Sequence, residues 1–171
     1  TEAMYYRLAQ AVSFSNSFIK NASELSGDEV NVFIAEARFL RAYAYYNLLD
    51  LYGNVPLTTE ISTELPTQSN RTELFNFIES ELMEIESTLL ASNEYGRVDN
   101  IAAHALLSRL YLNAEAWTGQ DRYADCVTYS QNVINSAYSL NMNDANGNGT
   151  AYDELFMADN DVNGAQNEFI F

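Results

Sequence analysis

The sequence predicts a mostly α-helical protein, a tetratricopeptide-like stack of antiparallel helix pairs with irregular segments and a short C-terminal strand. Three observations carry this. Apolar residues recur at spacings of three and four through several long segments, which puts them on one helical face. The chain has only 7 Gly and 2 Pro, which favours helices over a turn-rich β fold. Finally, the pattern A-x-x-x-R-x-Y at Ala37, Arg41 and Tyr43 returns 68 residues on at Ala105, Arg109 and Tyr111. That is close to twice the roughly 34-residue tetratricopeptide period. Small alanines let helices approach, and the aromatics fill the next gap.

The first helix is expected from about Glu2 to Ala22, with Tyr5, Leu8, Val12 and Ile19 on one face and Ala11, Phe14 and Phe18 beside it. The second should run from about Asp28 to Tyr52. Val30, Phe33, Ile34, Ala37, Leu40, Ala44, Leu48 and Leu51 form its stripe, and Phe39, Ala42, Tyr43, Tyr45 and Tyr46 form a second apolar face. A helix apolar on more than one side is normally buried between neighbours. This one reads as the central rod, nearly twice the mean helix length. Ser26 with Glu29 fits a capping box at its start. Gly53 supplies a left-handed stop, and Pro56 forces an extended exit.

An extended segment, Val55 to Asn70, should follow. A third helix starts near Arg71 behind a Ser69/Asn70 cap and ends near Leu90, striped by Leu74, Ile78, Leu82, Ile85 and Leu89. Glu79, Glu81, Glu84 and Glu86 are expected on its wet side. The polar link Ala91 to Asp99 leads to a fourth helix, from about Asn100 to Ala116 with Asp99 as cap. A fifth spans about Asp121 to Ala137, with Tyr123, Val127 and Ile134 facing inward. Residues 1–139 thus form the helical scaffold of a single domain, 1–171. A long polar loop, a short helical turn near Tyr152 to Met157 and a second acidic loop complete residues 140–171, with a terminal strand, Asn167 to Phe171. A lone strand leaves its ladder groups unpaired, so the natural chain is expected to continue.

The 171 residues suffice for one domain with a core, and 47% hydrophobic content argues against a disordered acidic tail. The formal net charge is −16, from 24 acidic and 8 basic residues, which repels nucleic-acid phosphates and anionic lipid head groups. Lys20 is the sole lysine, so no polybasic patch exists. No stretch approaches the roughly 18 apolar residues of a membrane-spanning helix. Cys126 is the only cysteine, so no internal disulfide can form. The start Thr1-Glu2-Ala3-Met4 does not read as a signal peptide.

The stretch Glu36-Ala-Arg-Phe-Leu-Arg-Ala-Tyr-Ala-Tyr-Tyr-Asn-Leu-Leu-Asp-Leu-Tyr-Gly-Asn-Val-Pro-Leu-Thr-Thr-Glu60 closely resembles the signature of the SusD/RagB family. A second block, Gly96-Arg97-Val98 with Ala102 to Ala116 and Tyr123 to Ile134, resembles that family's next helical pair. A third, Tyr152-Asp-Glu-Leu-Phe156 with Asn167-Glu-Phe-Ile-Phe171, is similar to its "Y-x-x-L-F … N-E-x-I-F" passage. The family comprises nutrient-binding lipoproteins of the Bacteroidetes outer membrane that sit over a TonB-dependent transporter. The resemblance implies an N-terminal to middle portion of a longer, surface-exposed protein, lipid-anchored through a cysteine absent from this chain. It implies capture of an oligosaccharide, or a peptide, and delivery to a SusC-like partner. By the same resemblance the present helices hold and position the binder, and the remainder contacts most of the sugar.

Several residues could carry chemistry. The 12 Tyr, 9 Phe and 1 Trp could stack on sugar faces, although aromatics at helical spacing ordinarily fill cores. Tyr95, in a loop, is a candidate ligand-binding residue. Trp117 is another, with packing at the helix-turn-helix corner as its plainer role. Arg38, Arg41 and Arg109 lie within apolar helices, where a guanidinium most often reaches a carboxylate. Asp144-x-Asn146-x-Asn148-Gly149 and Asp159-x-Asp161-x-Asn163-Gly164 match the first positions of a calcium loop. Both depart from it at the twelfth, Leu155 and Ile170, and Asx-rich turns explain the same residues without metal. Should calcium be held, Asp159, Asp161 and Asn163 are the candidates. His104 has no second imidazole for zinc, and Cys126 reads as a small core residue. Carboxylates are too common to mark a glycosidase pair. On these residues no catalysis and no cofactor is expected, and the family resemblance implies a cell-surface binder. The alternative is a helical-repeat scaffold that recognises proteins and has no glycan role.

Overall fold

The computed structural model describes residues 2–171. Among these, six α-helices and one small antiparallel pair follow in the order α1 (Glu2–Ala22), α2 (Asp28–Tyr52), β1 (Val55–Pro56), β2 (Gln68–Ser69), α3 (Arg71–Ile85), α4 (Asn100–Leu112), α5 (Ala114–Thr118) and α6 (Tyr123–Ile134). Short 3₁₀ turns at Asp153–Phe156 and Ala165–Asn167 end the chain. The first two helices have the limits their patterns predict. The packing follows chain order: α1 lies along α2, α2 along α3, and α4 along α6.

α2 is the central rod. It buries Ala35, Ala37, Phe39, Ala42, Ala44, Tyr45, Tyr46, Leu48 and Leu49. Gly53 ends it with φ of 75°, and its amide donates back to Leu49 O at 3.0 Å. The positive φ is what calls for glycine, since the atom a Cβ would meet, Arg71 Nε at 2.8 Å, belongs to a flexible side chain that can move. Pro56 then pairs with Gln68, and Val55 with Ser69, which folds the 53–70 link back on itself. The Tyr45 hydroxyl fixes the same link, accepting from Thr58 N at 2.8 Å and donating to Thr58 O at 3.0 Å.

An ion network joins α1, α2 and α3. Arg41 donates to Glu81 Oε2 at 2.5 Å and to Asn16 Oδ1 at 2.8 Å, all three residues being buried. Arg38 reaches Glu81 Oε1 and Glu84 Oε2, each at 2.6 Å. The bond from Arg38, reinforced by Ser80, pulls the Glu84 carboxyl below its ordinary range. Arg38 and Arg41 therefore take the plain role of partners to carboxylates. Glu81, expected on the wet side of α3, is buried because two guanidiniums solvate it.

The structure corrects several expectations. Ser26 caps nothing: Gly27 is the N-cap of α2, with no side-chain bond. Leu40 is 42% exposed and Tyr43 38%, and Leu51 is also exposed, because α1 and α3 leave one side of the rod open. α3 ends at Ile85, behind a full Asn70/Glu73 capping box. The fourth helix breaks at Asn113 into α4 and α5. α6 turns Tyr123, Val127 and Ile134 outward, the last two 67% and 72% exposed. It packs on α4 through Cys126, Tyr129 and Ser130, and Ser130 bonds Ser108 at 2.6 Å. The motif echo does not extend to environment, since Arg41 and Tyr111 are buried while Arg109 and Tyr43 are exposed. Residues 167–171 form no strand. The Phe171 ring sits edge-on to Phe39 at 5.3 Å and Tyr43 at 6.1 Å instead.

Candidate binding cleft

Three chain segments with no local sequence relation converge around Tyr95. One is the α3–α4 link, residues 91–99. The second is the exit of α6, with Ala137 and Tyr138. The third is the terminal segment, with Gln166, Asn167, Phe169 and Ile170. They enclose an open cleft of about 220 Å³. That is smaller than the roughly 300–1,000 Å³ of a full drug-sized site and suits one ring-sized group.

The link owes its shape to α2. Glu36 Oε1 accepts from Asn93 Nδ2 at 2.9 Å and from Arg97 Nη2 at 2.7 Å. Asn93 also donates to Val98 O at 2.9 Å, and the Arg97 guanidinium lies 5.2 Å over the Phe33 ring. The bond to Glu36 raises the Arg97 pKa, so its charge is secure. Between these anchors Gly96 takes φ of 78° and turns the chain at the Tyr95 tip. Tyr95 as a residue is 50% exposed. It meets Phe169 edge-to-face at 5.9 Å, and its hydroxyl donates to Asn160 Oδ1 at 3.3 Å.

Asp99 lies at the floor, almost wholly buried. One oxygen caps α4 at Ala102 N, 2.9 Å away, and the other accepts from the Tyr138 hydroxyl at 2.8 Å. Burial first, then this bond, holds the Tyr138 phenol protonated well above its usual range. Ser139 N donates to Asn167 O at 3.0 Å, and Asn141 N to Glu168 Oε2 at 2.7 Å, which fastens the terminal segment to the exit of α6.

The cleft therefore presents an aromatic pair beside amide and carboxylate groups. An apolar C–H face can rest on the open Tyr95 ring while hydroxyls reach Gln166, Asn167 or Glu94. Asp99 is committed to the helix cap and to Tyr138.

The other candidates lie elsewhere. Trp117 sits at the end of α5, edge-on to Tyr46 at 5.8 Å, and does not line the cleft. Asp159 and Asp161 are exposed on the loop next to Asn160. Asn163 Nδ2 donates to Glu154 Oε2 at 3.1 Å while its Oδ1 accepts from Ala165 N, so its side-chain amide works within the loop. Asp144 accepts the amides of Gly147, Asn148 and Gly149, as an Asx-rich turn does. Among the described residues, no three His, Cys, Asp or Glu side chains cluster as metal ligands would. His104 bonds Glu86 at 2.7 Å through Nε2 and meets Tyr129 edge-on. Sequence reasoning missed Glu36, Asn93, Arg97, Tyr138 and Phe169. Only Asn93 and Gly96, as turn residues flanking Tyr95, gave a local signal.

A second feature is an apolar groove between α1 and α2, with Phe14, Phe18, Phe33 and Leu40 along its walls. No helix among the described residues is long and apolar enough to cross a membrane.

Comparison with known proteins matches residues 2–112 to the SusD-like family model described as "Starch-binding associating with outer membrane". The starch-binding protein SusD of Bacteroides thetaiotaomicron is 41% identical over 165 residues, which is 95% of this chain and 28% of that relative. A protein crystallised with a xylogluco-oligosaccharide superposes with a TM-score of 0.82 at 25% identity, covering 95% of this chain and 34% of that one. A SusD superfamily protein of Parabacteroides distasonis superposes with a TM-score of 0.74 at 28% identity, over 81% of this chain and 32% of that one. The chain thus spans about a third or less of the length of these relatives.

Proposed function

We propose a function from one premise: the chain belongs to the SusD-like family. It acts as part of a surface binder that captures an oligosaccharide, holds it without covalent change and passes it to a SusC-like TonB-dependent transporter in the outer membrane. The observation that carries this is half-exposed Tyr95, its ring braced on Phe169 within a polar cleft. Such a surface suits a sugar ring, whose C–H face is apolar and whose rim carries hydroxyls. The starch-binding and xyloglucan-bound relatives support a glucan over a peptide. The cleft is one ring wide, so it supplies one subsite of a longer binding surface.

Isothermal calorimetry with maltoheptaose, laminarihexaose and a xyloglucan heptasaccharide tests the reading. Binding of at least one glucan should fall about tenfold in Tyr95→Ala, the loss of roughly one stacking contact. Equal affinity in Tyr95→Ala and the parent would remove the cleft from the function.

A further inference from the structure

We propose that Glu36, a residue of α2 outside the cleft wall, is the positioning residue that presents Tyr95 to a ligand. The proposal rests on the cleft being a glycan subsite. Glu36 accepts from Asn93 and Arg97, the two residues that flank the Tyr95–Gly96 tip. Both of these bonds end on one oxygen, Oε1, which draws the shoulders of the turn to a single point on α2. The second oxygen adds a longer contact, 3.4 Å, with Arg97 Nε. The Glu36 side chain is largely buried, while the Arg97 side chain is about a third exposed, so α2 is the fixed end of the anchor.

The tip itself is held lightly. Tyr95 has an edge contact with Phe169 and one 3.3 Å bond to Asn160, both near solvent. Gly96 adds conformational freedom at the next position. Conformational freedom in the link therefore converts directly into lost presentation of the ring. If the fraction of molecules with Tyr95 on Phe169 falls to about one tenth, apparent affinity falls about tenfold, with no ligand contact removed. Glu36 lies in the central rod, 57 and 61 residues from its two partners, so the rod reaches the cleft through one carboxylate.

The experiment measures maltoheptaose affinity and amide exchange in the full chain for Glu36→Leu, Glu36→Gln and Asn93→Ala. Glu36→Leu should lose about tenfold in affinity and exchange faster across residues 92–97, with α2 unchanged. Glu36→Gln keeps an acceptor at Oε1 and should lose less. Asn93→Ala leaves α2 untouched and should reproduce part of the loss, which keeps the test open should Glu36→Leu fold poorly. In a Tyr95→Ala background, Glu36→Leu should cost nothing further, because it acts through that ring. Unchanged exchange across 92–97, equal losses in the Leu and Gln variants, or an additive loss in the Tyr95→Ala background would each overturn the role of Glu36. Unchanged binding in Tyr95→Ala alone would instead overturn the subsite, and the exchange result would still decide whether Glu36 holds the turn.

Discussion

Arg41 on α2 and Glu81 on α3 form an ion pair with Nη2 2.5 Å from Oε2, both side chains less than a tenth exposed. A charge so placed is tolerable only while its partner is present. Asn16 and Arg38 complete the solvation of the pair.

Glu81→Leu should therefore strand the Arg41 guanidinium and destabilise the fold by about 3–5 kcal/mol, as breaking a buried pair does. Arg38→Met should cost clearly less, since Arg38 is closer to solvent and its partner Glu84 is mostly exposed. Urea midpoints at constant m-value measure both. Similar small shifts for the two variants would mean that Arg41 finds water.

Leu107 on α4 and Leu40 on α2 are both helical leucines, but only Leu107 is fully enclosed. Leu107→Ala should cost about 2–5 kcal/mol through lost burial and the cavity left behind. Leu40→Ala should cost well under half of that. Thermal unfolding distinguishes them, and equal melting temperatures would contradict the packing described.

The two predicted helix starts differ in their caps. Asn70→Ala removes a reciprocal capping box and should destabilise by about 1 kcal/mol. Ser26→Ala should fall within about 0.5 kcal/mol of the parent, because Ser26 bonds no helix amide. A large effect at Ser26 in chemical unfolding would restore it as the cap.

Alkaline pH should weaken the fold. Burial, then a bond to Glu79, raises the Tyr111 phenol, and burial with Asp99 raises Tyr138. A raised phenol favours the protonated folded state, so its contribution is complete below the unfolded value near 10 and is lost as pH climbs above it. Stability measured between pH 8 and 11 should fall above 10. Tyr111→Phe should flatten that fall while lowering stability at pH 8. A fall of unchanged slope in Tyr111→Phe and Tyr138→Phe together would assign the pH dependence elsewhere.

Helix positions were legible because their signals are local. The spans of α1 and α2, the Gly53–Pro56 stop and the Asn70 cap each rest on signals within a few residues of what they determine, although the capping box with Glu73 was not read from the sequence. Facing was less legible. α6 packs through Cys126, Tyr129 and Ser130, a partly polar seam, so its most apolar residues, Val127 and Ile134, do not mark its inner side. The strand-like end misled for a similar reason, since β-prone residues without a neighbouring strand used their rings instead. At the cleft, Tyr95 was legible as a loop aromatic. Tyr138 and Phe169 reach it, and Glu36 anchors its rim through Asn93 and Arg97, from distant parts of the chain, and no periodicity records such a meeting.

The alanines that line the rod give the Arg38–Glu81–Arg41 network a consequence beyond strength. Ala35 and Ala42, seven residues apart and so on one face of α2, present a smooth flank along which a neighbouring helix could slide. A slip of one turn, about 5.4 Å, would leave most methyl contacts intact. It would also pull both guanidinium forks away from the single carboxylate they share. Charge here acts as a detent that fixes axial alignment, a task for which small apolar side chains are poorly suited.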